Sequence, residues 1–376
     1  MSGIYFHIPF CKSRCFYCDF HTSVNVKLIN PLFDTLKKEL CLRKSYLKND
    51  SLVKTIYFGG GTPSLLSPSQ IKELILLSKQ EFDCIDELEI TMEANPDDLN
   101  LDYLKEIKLA GVNRLSIGVQ SIDDHILADM NRRHGAIDVF NAINNAVHIG
   151  INNISIDLIY GVPKLSSTMW KTTIEKILSL PVTHISAYHL TYHEGTEFYR
   201  RLKKGSLLPV IEEESLEHYD ILVSMLVEHG FEHYELSNFC KNGLISNHNS
   251  SYWRGDSYLG IGPSAHSYDG VSRQWNISNN KKYIDLIPKG EEFFEKELLS
   301  DDDRYNDYII TAFRTKWGVE ETIILNLGDK YLDFFKTRVK SFVDSGEVVY
   351  DNSCWTISEK GMIRSDLIIE NVFYCE

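Results

Sequence analysis

Apolar and polar positions alternate at the start of the chain. Ile4, Phe6 and Ile8 fall on one side, which predicts a first strand. Residues 32–47 instead carry Leu and Phe at helical spacing among Lys and Glu, predicting a helix. Alternation returns over 53–58 and runs into Gly59-Gly60-Gly61-Thr62-Pro63, after which Ser67-Pro68 opens a second helix with a good N-cap and Pro in the first turn. The same unit of strand, loop and helix then recurs. Strands are predicted at 88–93, 114–120, 153–159 and 183–188. Helices are predicted near 101–110, in stretches up to about 149, after Pro163, and over 211–230.

Val/Ile-rich strands alternating with helices predict a parallel sheet covered by helices, an α/β fold. The polar residues gather at the strands' C-terminal ends: the first loop's cysteines, the Gly triplet, Glu93, Gln120 and Asp157. A β/α barrel builds its site there. Six strands fit an open, partial (β/α)6 barrel better than a closed one. Residues 231–280 are rich in Tyr, Asn and Gly. The stretch 288–304 reads as a boundary, dividing a barrel domain (1–290, with an extension over about 231–290) from a C-terminal unit (295–376). In that unit Asp303 is expected to cap a helix bearing Tyr305, Ile309, Ala312 and Phe313. A second helix over 330–343 and strands near 348–350 and 354–357 complete a small α+β module resembling a winged helix.

With 376 residues, 43% hydrophobic and 24% charged, the composition is that of a globular protein with a sizeable core. The net charge of −14 repels phosphate, so nucleic acid is not an expected partner, and the winged-helix-like module is expected to dock or support rather than bind DNA. No run reaches the length of a membrane span, and no export signal is visible. A reducing cytoplasm is therefore the expected compartment.

The sharpest chemistry lies in Cys11-Lys12-Ser13-Arg14-Cys15-Phe16-Tyr17-Cys18. Three thiols from one short loop suit a cubane iron–sulfur cluster, leaving the fourth iron open to a non-protein ligand. A zinc site with a distant fourth ligand, or plain thiols, is the competing reading. The other five cysteines, Cys41, Cys84, Cys240, Cys354 and Cys375, follow no pattern. Glycines at 59–61 allow backbone to approach a ligand closely. Gln120 and Asp157 suit ribose hydroxyls, and Arg132 suits a carboxylate.

The C-x3-C-x2-C spacing with an aromatic before the last Cys resembles the signature of the radical S-adenosylmethionine (SAM) superfamily. The resemblance implies a [4Fe–4S] cluster on Cys11, Cys15 and Cys18, with SAM on its open iron. It also implies Gly60, Gly61, Thr62 and Glu93 along the methionine amino group, and Gln120, Arg132 and Asp157 on the rest of SAM. Tyr5 and Tyr17 would contact SAM beside the cluster. Residues 4–11, 59–63, 118–121 and 157–163 are further similar to the oxygen-independent coproporphyrinogen III oxidase family, which decarboxylates porphyrinogen propionates with a deoxyadenosyl radical.

Two departures argue against the oxidase itself. Phe20 stands where the oxidases carry a fourth Cys, and the first strand begins near residue 3, without their N-terminal extension. His248-Asn249-Ser250-Ser251-Tyr252-Trp253 matches the H-N-x-x-Y-W motif of the HemW-type heme chaperones, a branch of the same family. There the imidazole would ligate heme iron, with Asn249, Tyr252 and Trp253 around the porphyrin and Cys240 as an alternative ligand. The resulting expectation is a cytoplasmic protein of porphyrin metabolism. It would bind a SAM-ligated [4Fe–4S] cluster, carry heme as cargo, and deliver it to acceptor hemoproteins such as membrane respiratory cytochromes. A coproporphyrinogen III dehydrogenase is the alternative.

Overall fold

A computed structural model describes residues 2–47 and 52–375. Six strands, β1 (Ser2–Ile8), β2 (Val53–Gly60), β3 (Cys84–Ala94), β4 (Arg114–Gln120), β5 (Asn153–Tyr160) and β6 (His184–His189), lie side by side in chain order, all parallel. Each is joined to the next through helix, as parallel neighbours require. Alternation assigns the two faces. Ile4, Phe6 and Ile8 of β1 and Ile56 and Phe58 of β2 are fully buried under the helical layer. Gly3, Tyr5, Thr55 and Tyr57 take the opposite, concave face. This is the expected open (β/α)6 partial barrel.

The helix Pro68–Glu81 starts as its sequence predicts. Ser67 caps it in a reciprocal capping box with Gln70. The first helix is Ile29–Leu42, so residues 43–47, expected to continue it, form turns. β3 runs longer than the strand expected over 88–93.

The Tyr-, Asn- and Gly-rich residues 231–280, given no elements from their pattern, are built of short ones. They form β7 (Glu232–Glu235), β8 (Asn238–Cys240), the helix Asn247–Trp253, β9 (Ser257–Ile261), β10 (His266–Tyr268) and β11 (Ser272–Asn276). β8 and β7 extend the sheet beyond β6. β9 pairs parallel to β1 and carries β10, β11 and β12 (Phe294–Leu298) outward, giving a 12-stranded sheet. Strands of three to five residues are too short to show a period in the sequence. β12 lies within the stretch read as a boundary and belongs to the large sheet, so the second unit starts after it.

That unit has its own apolar core around Tyr305, Ile309, Phe313, Phe335 and Trp355. Helices Asp301–Ala312, Glu321–Leu327 and Asp329–Asp344 pack beside an antiparallel sheet of β13 (Val319–Glu320), β14 (Val348–Asp351) and β15 (Cys354–Ile357), in the winged-helix manner. Its first helix is capped by Ser300, not Asp303; Asp303 is the third helical residue and completes the capping box. The unit joins the barrel's β7 edge through Leu236 N–H to the Arg314 carbonyl and Lys316 N–H to the Tyr234 carbonyl, both 3.0 Å. Among the described residues no helix is long and apolar enough to cross a membrane.

Candidate functional site

The concave face of the sheet opens, at the strands' C-terminal ends, into a cavity of about 490 Å³. The cysteine loop roofs it. Cys11 N–H bonds to the Ser23 carbonyl at 3.0 Å and closes the loop's base. Phe16 N–H reaches the Met130 carbonyl at 3.1 Å, and Asn131 Nδ2 reaches the Arg14 carbonyl at 2.8 Å. These bonds hang the loop over β4. Cys11, Cys15 and Cys18 all line the cavity and are half-buried. Burial pushes the Cys11 thiol up and the Cys18 thiol up to about 11. Thr62 Oγ1 donates to Cys11 Sγ at 3.5 Å and Arg132 Nη1 to Cys15 Sγ at 3.3 Å, contacts that favour thiolates. Among the described residues no three His, Cys, Asp or Glu side chains gather tightly enough to share one metal ion. Thiols spread along a loop suit a cluster, whose irons are separate centres, better than a single zinc.

Gly60, Gly61, Thr62, Glu93, Gln120, Arg132 and Asp157 line the same cavity, together with Tyr17 and Asn249. Gly60 has φ +104°, a left-handed backbone that turns β2 over the strand ends and aims its N–H at Glu93 Oε2, 3.1 Å away. Tyr57 Oη donates to Glu93 Oε1 at 2.9 Å. Burial raises Glu93 to about 7, helped by the Asp157 charge and opposed by these two donors. Burial likewise raises Asp157 to about 6, against the Ser116 hydroxyl and the Arg114 and Arg132 guanidiniums. Gln120 sits at φ +65°, where β4 slips register against β5; this is a strained conformation for a residue with a side chain. Two recessed carboxylates and a left-handed glutamine at strand ends suit an amino group and ribose hydroxyls.

Arg132 differs from the open carboxylate clamp its chemistry suggested. Its Nη2 donates to Asn95 Oδ1 at 2.6 Å and to the Gly118 carbonyl at 2.5 Å, and its Nη1 reaches Cys15, so it ties the cysteine loop to the strand ends. Only its Nε is buried without a partner.

Tyr5 and His248 are not among the cavity-lining residues. Tyr5 stands in register with the cavity-lining Tyr57 of the neighbouring strand, but its Oη turns to His7 Nδ1 at 3.1 Å. His248, expected as an open axial ligand, is buried with both ring nitrogens engaged: Nδ1 with Thr55 Oγ1 and Nε2 with Tyr252 Oη, each at 2.7 Å. Burial and the nearby Arg114 charge lower its imidazole to about 3, so it is neutral. Its helix plugs the barrel floor, where the Glu89 carboxylate accepts the backbone N–H groups of Asn247 and His248 at 3.1 and 3.0 Å. Trp253 is half-buried at that helix's end. Cys240 is wholly buried and does not line the cavity. Phe20 is exposed at the rim, 61% accessible.

Residues that the sequence reading passed over also matter. Tyr57, Asn95, Ser116 and Tyr188 line the cavity; the signal for Tyr57, Ser116 and Tyr188 was the inward phase of their strands, and for Asn95 its place just past the end of β3. Arg114 is 1% exposed, with Nε and Nη2 unpartnered. Its register neighbours Thr91 and Asn153 each have an unpartnered buried oxygen as well. Buried water commonly occupies such clusters.

Residues 5–177 match the Radical SAM superfamily. The chain is 35% identical to the heme chaperone HemW of Bacillus subtilis, covering 96% of this chain and 97% of that one. It is 30% identical to the Mycobacterium tuberculosis (strain ATCC 25618 / H37Rv) protein of the same name, over 98% and 94%. The solved coproporphyrinogen III oxidase HemN from Escherichia coli superposes with a TM-score of 0.85 at 23% identity, covering 99% of this chain and 90% of that one, a likeness of fold. With near full-length identity of this order to several such relatives, the chain belongs to the HemW family of radical SAM proteins.

Proposed function

We propose that this protein binds a [4Fe–4S] cluster on Cys11, Cys15 and Cys18, holds SAM beneath it, carries heme, and passes that heme to acceptor hemoproteins in the cytoplasm or at the membrane. The observation that carries the reading is the single cavity into which one loop's three thiols and the strand-end residues Gly60, Gly61, Thr62, Glu93, Gln120 and Asp157 all face. The thiols suit iron and the carboxylates suit a cationic amino group and hydroxyls. The names of the HemW relatives support heme as cargo. When bound, the cluster would supply an open iron and a low-potential electron. This chain's own residues orient SAM and keep water from its far side.

The heme contacts are assigned to the His248-Asn249-Ser250-Ser251-Tyr252-Trp253 segment. Asn249 already reaches the cavity, and His248 becomes a ligand by exchanging Thr55 or Tyr252 for iron. Exposed Phe20 supplies no thiol at the rim, in keeping with carriage rather than decarboxylation. The test is to incubate the anaerobically reconstituted protein with heme plus an apo-hemoprotein and, separately, with coproporphyrinogen and SAM. Transfer of heme with no loss of propionate carboxyls by mass spectrometry is expected. Protoporphyrinogen formation at many turnovers would replace this reading by the dehydrogenase.

A further inference from the structure

His248 belongs to a column that runs from the barrel floor to the cavity. Its ring stacks on Tyr57 with centroids 4.8 Å apart and planes 23° apart. Tyr57 in turn donates its hydroxyl to Glu93 Oε1. At the lower end Thr55 Oγ1 and Tyr252 Oη hold both imidazole nitrogens, so the ring cannot rotate without losing a buried hydrogen bond. Two glycines make room for the column. A Cβ on Gly3 would lie 2.7 Å from Thr55 Oγ1 and 3.1 Å from His248 Nδ1. A Cβ on Gly59 would lie 2.9 Å from both the Tyr5 and Tyr57 rings and 3.0 Å from Glu93 Oε1. Both strands thus omit a side chain where the column passes.

From this geometry we infer that His248 is a positioning residue for the SAM site, acting through the Tyr57 ring to aim the Glu93 carboxylate. Glu93 is recessed, so its placement depends on the two donors that hold it, Tyr57 Oη and Gly60 N–H. The Gly60 donor is set by the strand's own turn. The Tyr57 donor is set by a ring whose face rests on His248 and, more loosely, on Tyr5, 6.0 Å away. Removing the imidazole opens a gap beneath Tyr57, the ring settles into it, and the hydroxyl leaves the carboxylate. The H-N-x-x-Y-W segment is then wired to the SAM site whatever cargo it carries.

The inference rests on SAM binding at Glu93, and the test separates the two. SAM is titrated by calorimetry into cluster-loaded wild type, Tyr57→Phe, His248→Ala and the double variant, with iron content and circular dichroism as folding controls. Each single variant is expected to bind SAM five- to tenfold more weakly at wild-type iron content. The double variant is expected to be no weaker than the weaker single, because both changes remove one contact to Glu93. Losses that multiply in the double variant, or wild-type affinity in a folded His248→Ala protein, would overturn the inference. If His248→Ala does not fold, Thr55→Val, which removes only the hydroxyl holding Nδ1, takes its place in the same cycle. The expected loss is then two- to threefold, again absent on top of Tyr57→Phe; wild-type affinity or a multiplied loss overturns it. Failure of the wild type to bind SAM would remove the site reading and this inference together.

Discussion

Two short segments of this chain read as ligand motifs, the cysteine loop and the H-N-x-x-Y-W hexapeptide, and the fold treats them in opposite ways. The loop is slung over the strand ends by a few backbone bonds, and all three thiols face a cavity. The hexapeptide is folded into a helix under the barrel, and its imidazole spends both nitrogens on Thr55 and Tyr252. Donor chemistry alone does not make a binding site. A group with its lone pairs pointed at a cavity can take a ligand at little cost, whereas a buried, bonded one must first break a partner, on the order of 1–3 kcal/mol.

The largest expected effect separates the two motifs outright. Changing Cys11, Cys15 and Cys18 together to Ala should abolish iron and sulfide in the anaerobically reconstituted protein, while His248→Ala keeps both. A full cluster in the triple variant would collapse the comparison.

Next in size is Glu93→Ala. Losing a charge-assisted contact to SAM costs on the order of 2 kcal/mol, roughly a thirtyfold weaker dissociation constant by calorimetry, at unchanged iron content. Unchanged affinity would place SAM away from these strand ends.

A smaller effect comes from pH. Glu93 titrates near 7, with Tyr5, Tyr57, Asp157, Tyr188 and Tyr252 facing it. Its folded value lies above the ordinary carboxylate range. Its contribution to stability is therefore fully present below about pH 4 and is lost as pH rises through about 7. SAM binding needs the ionised form, so affinity should rise about tenfold between pH 6 and pH 8, and less in Glu93→Gln. A flat profile in the wild type would mean the carboxylate is already ionised at pH 6.

The smallest effect sharpens the hexapeptide's side of the contrast. Thr55→Val keeps the side-chain shape and removes the partner of His248 Nδ1, so it should lower unfolding stability in urea by about 1 kcal/mol. No change would mean that the buried imidazole does not need that bond.

Periodicity and spacing make the barrel legible in the chain itself. The strands carrying Ile4 to Ile8, Val53 to Phe58 and Asn153 to Ile159 announce themselves because apolar positions at period two are a local property. The cysteine loop, the Gly triplet and Glu93, Gln120 and Asp157 were legible too, since each lies at or toward the C-terminal end of a strand, and strand ends in a β/α fold point one way. Less visible were the short strands of residues 231–280, which hold their place by pairing with one another and with distant strands, as when β9 docks on β1 and β8 on β6. Tyr57 gave no sign of its role because an inward aromatic on a strand is ordinary until one knows what lies above and below it.

What the sequence determined by itself was therefore the order of the elements, the cluster loop and the polar strand ends, all set by local pattern. Only the tertiary structure decided that Arg132 ties the loop to β4, that Tyr5 turns to His7 without lining the cavity, and that His248 is buried beneath Tyr57. Those outcomes depend on which strands adjoin and how far side chains reach across them. A hydrogen-bond partner such as Thr55, 193 positions from His248, is chosen by the packing of the whole barrel.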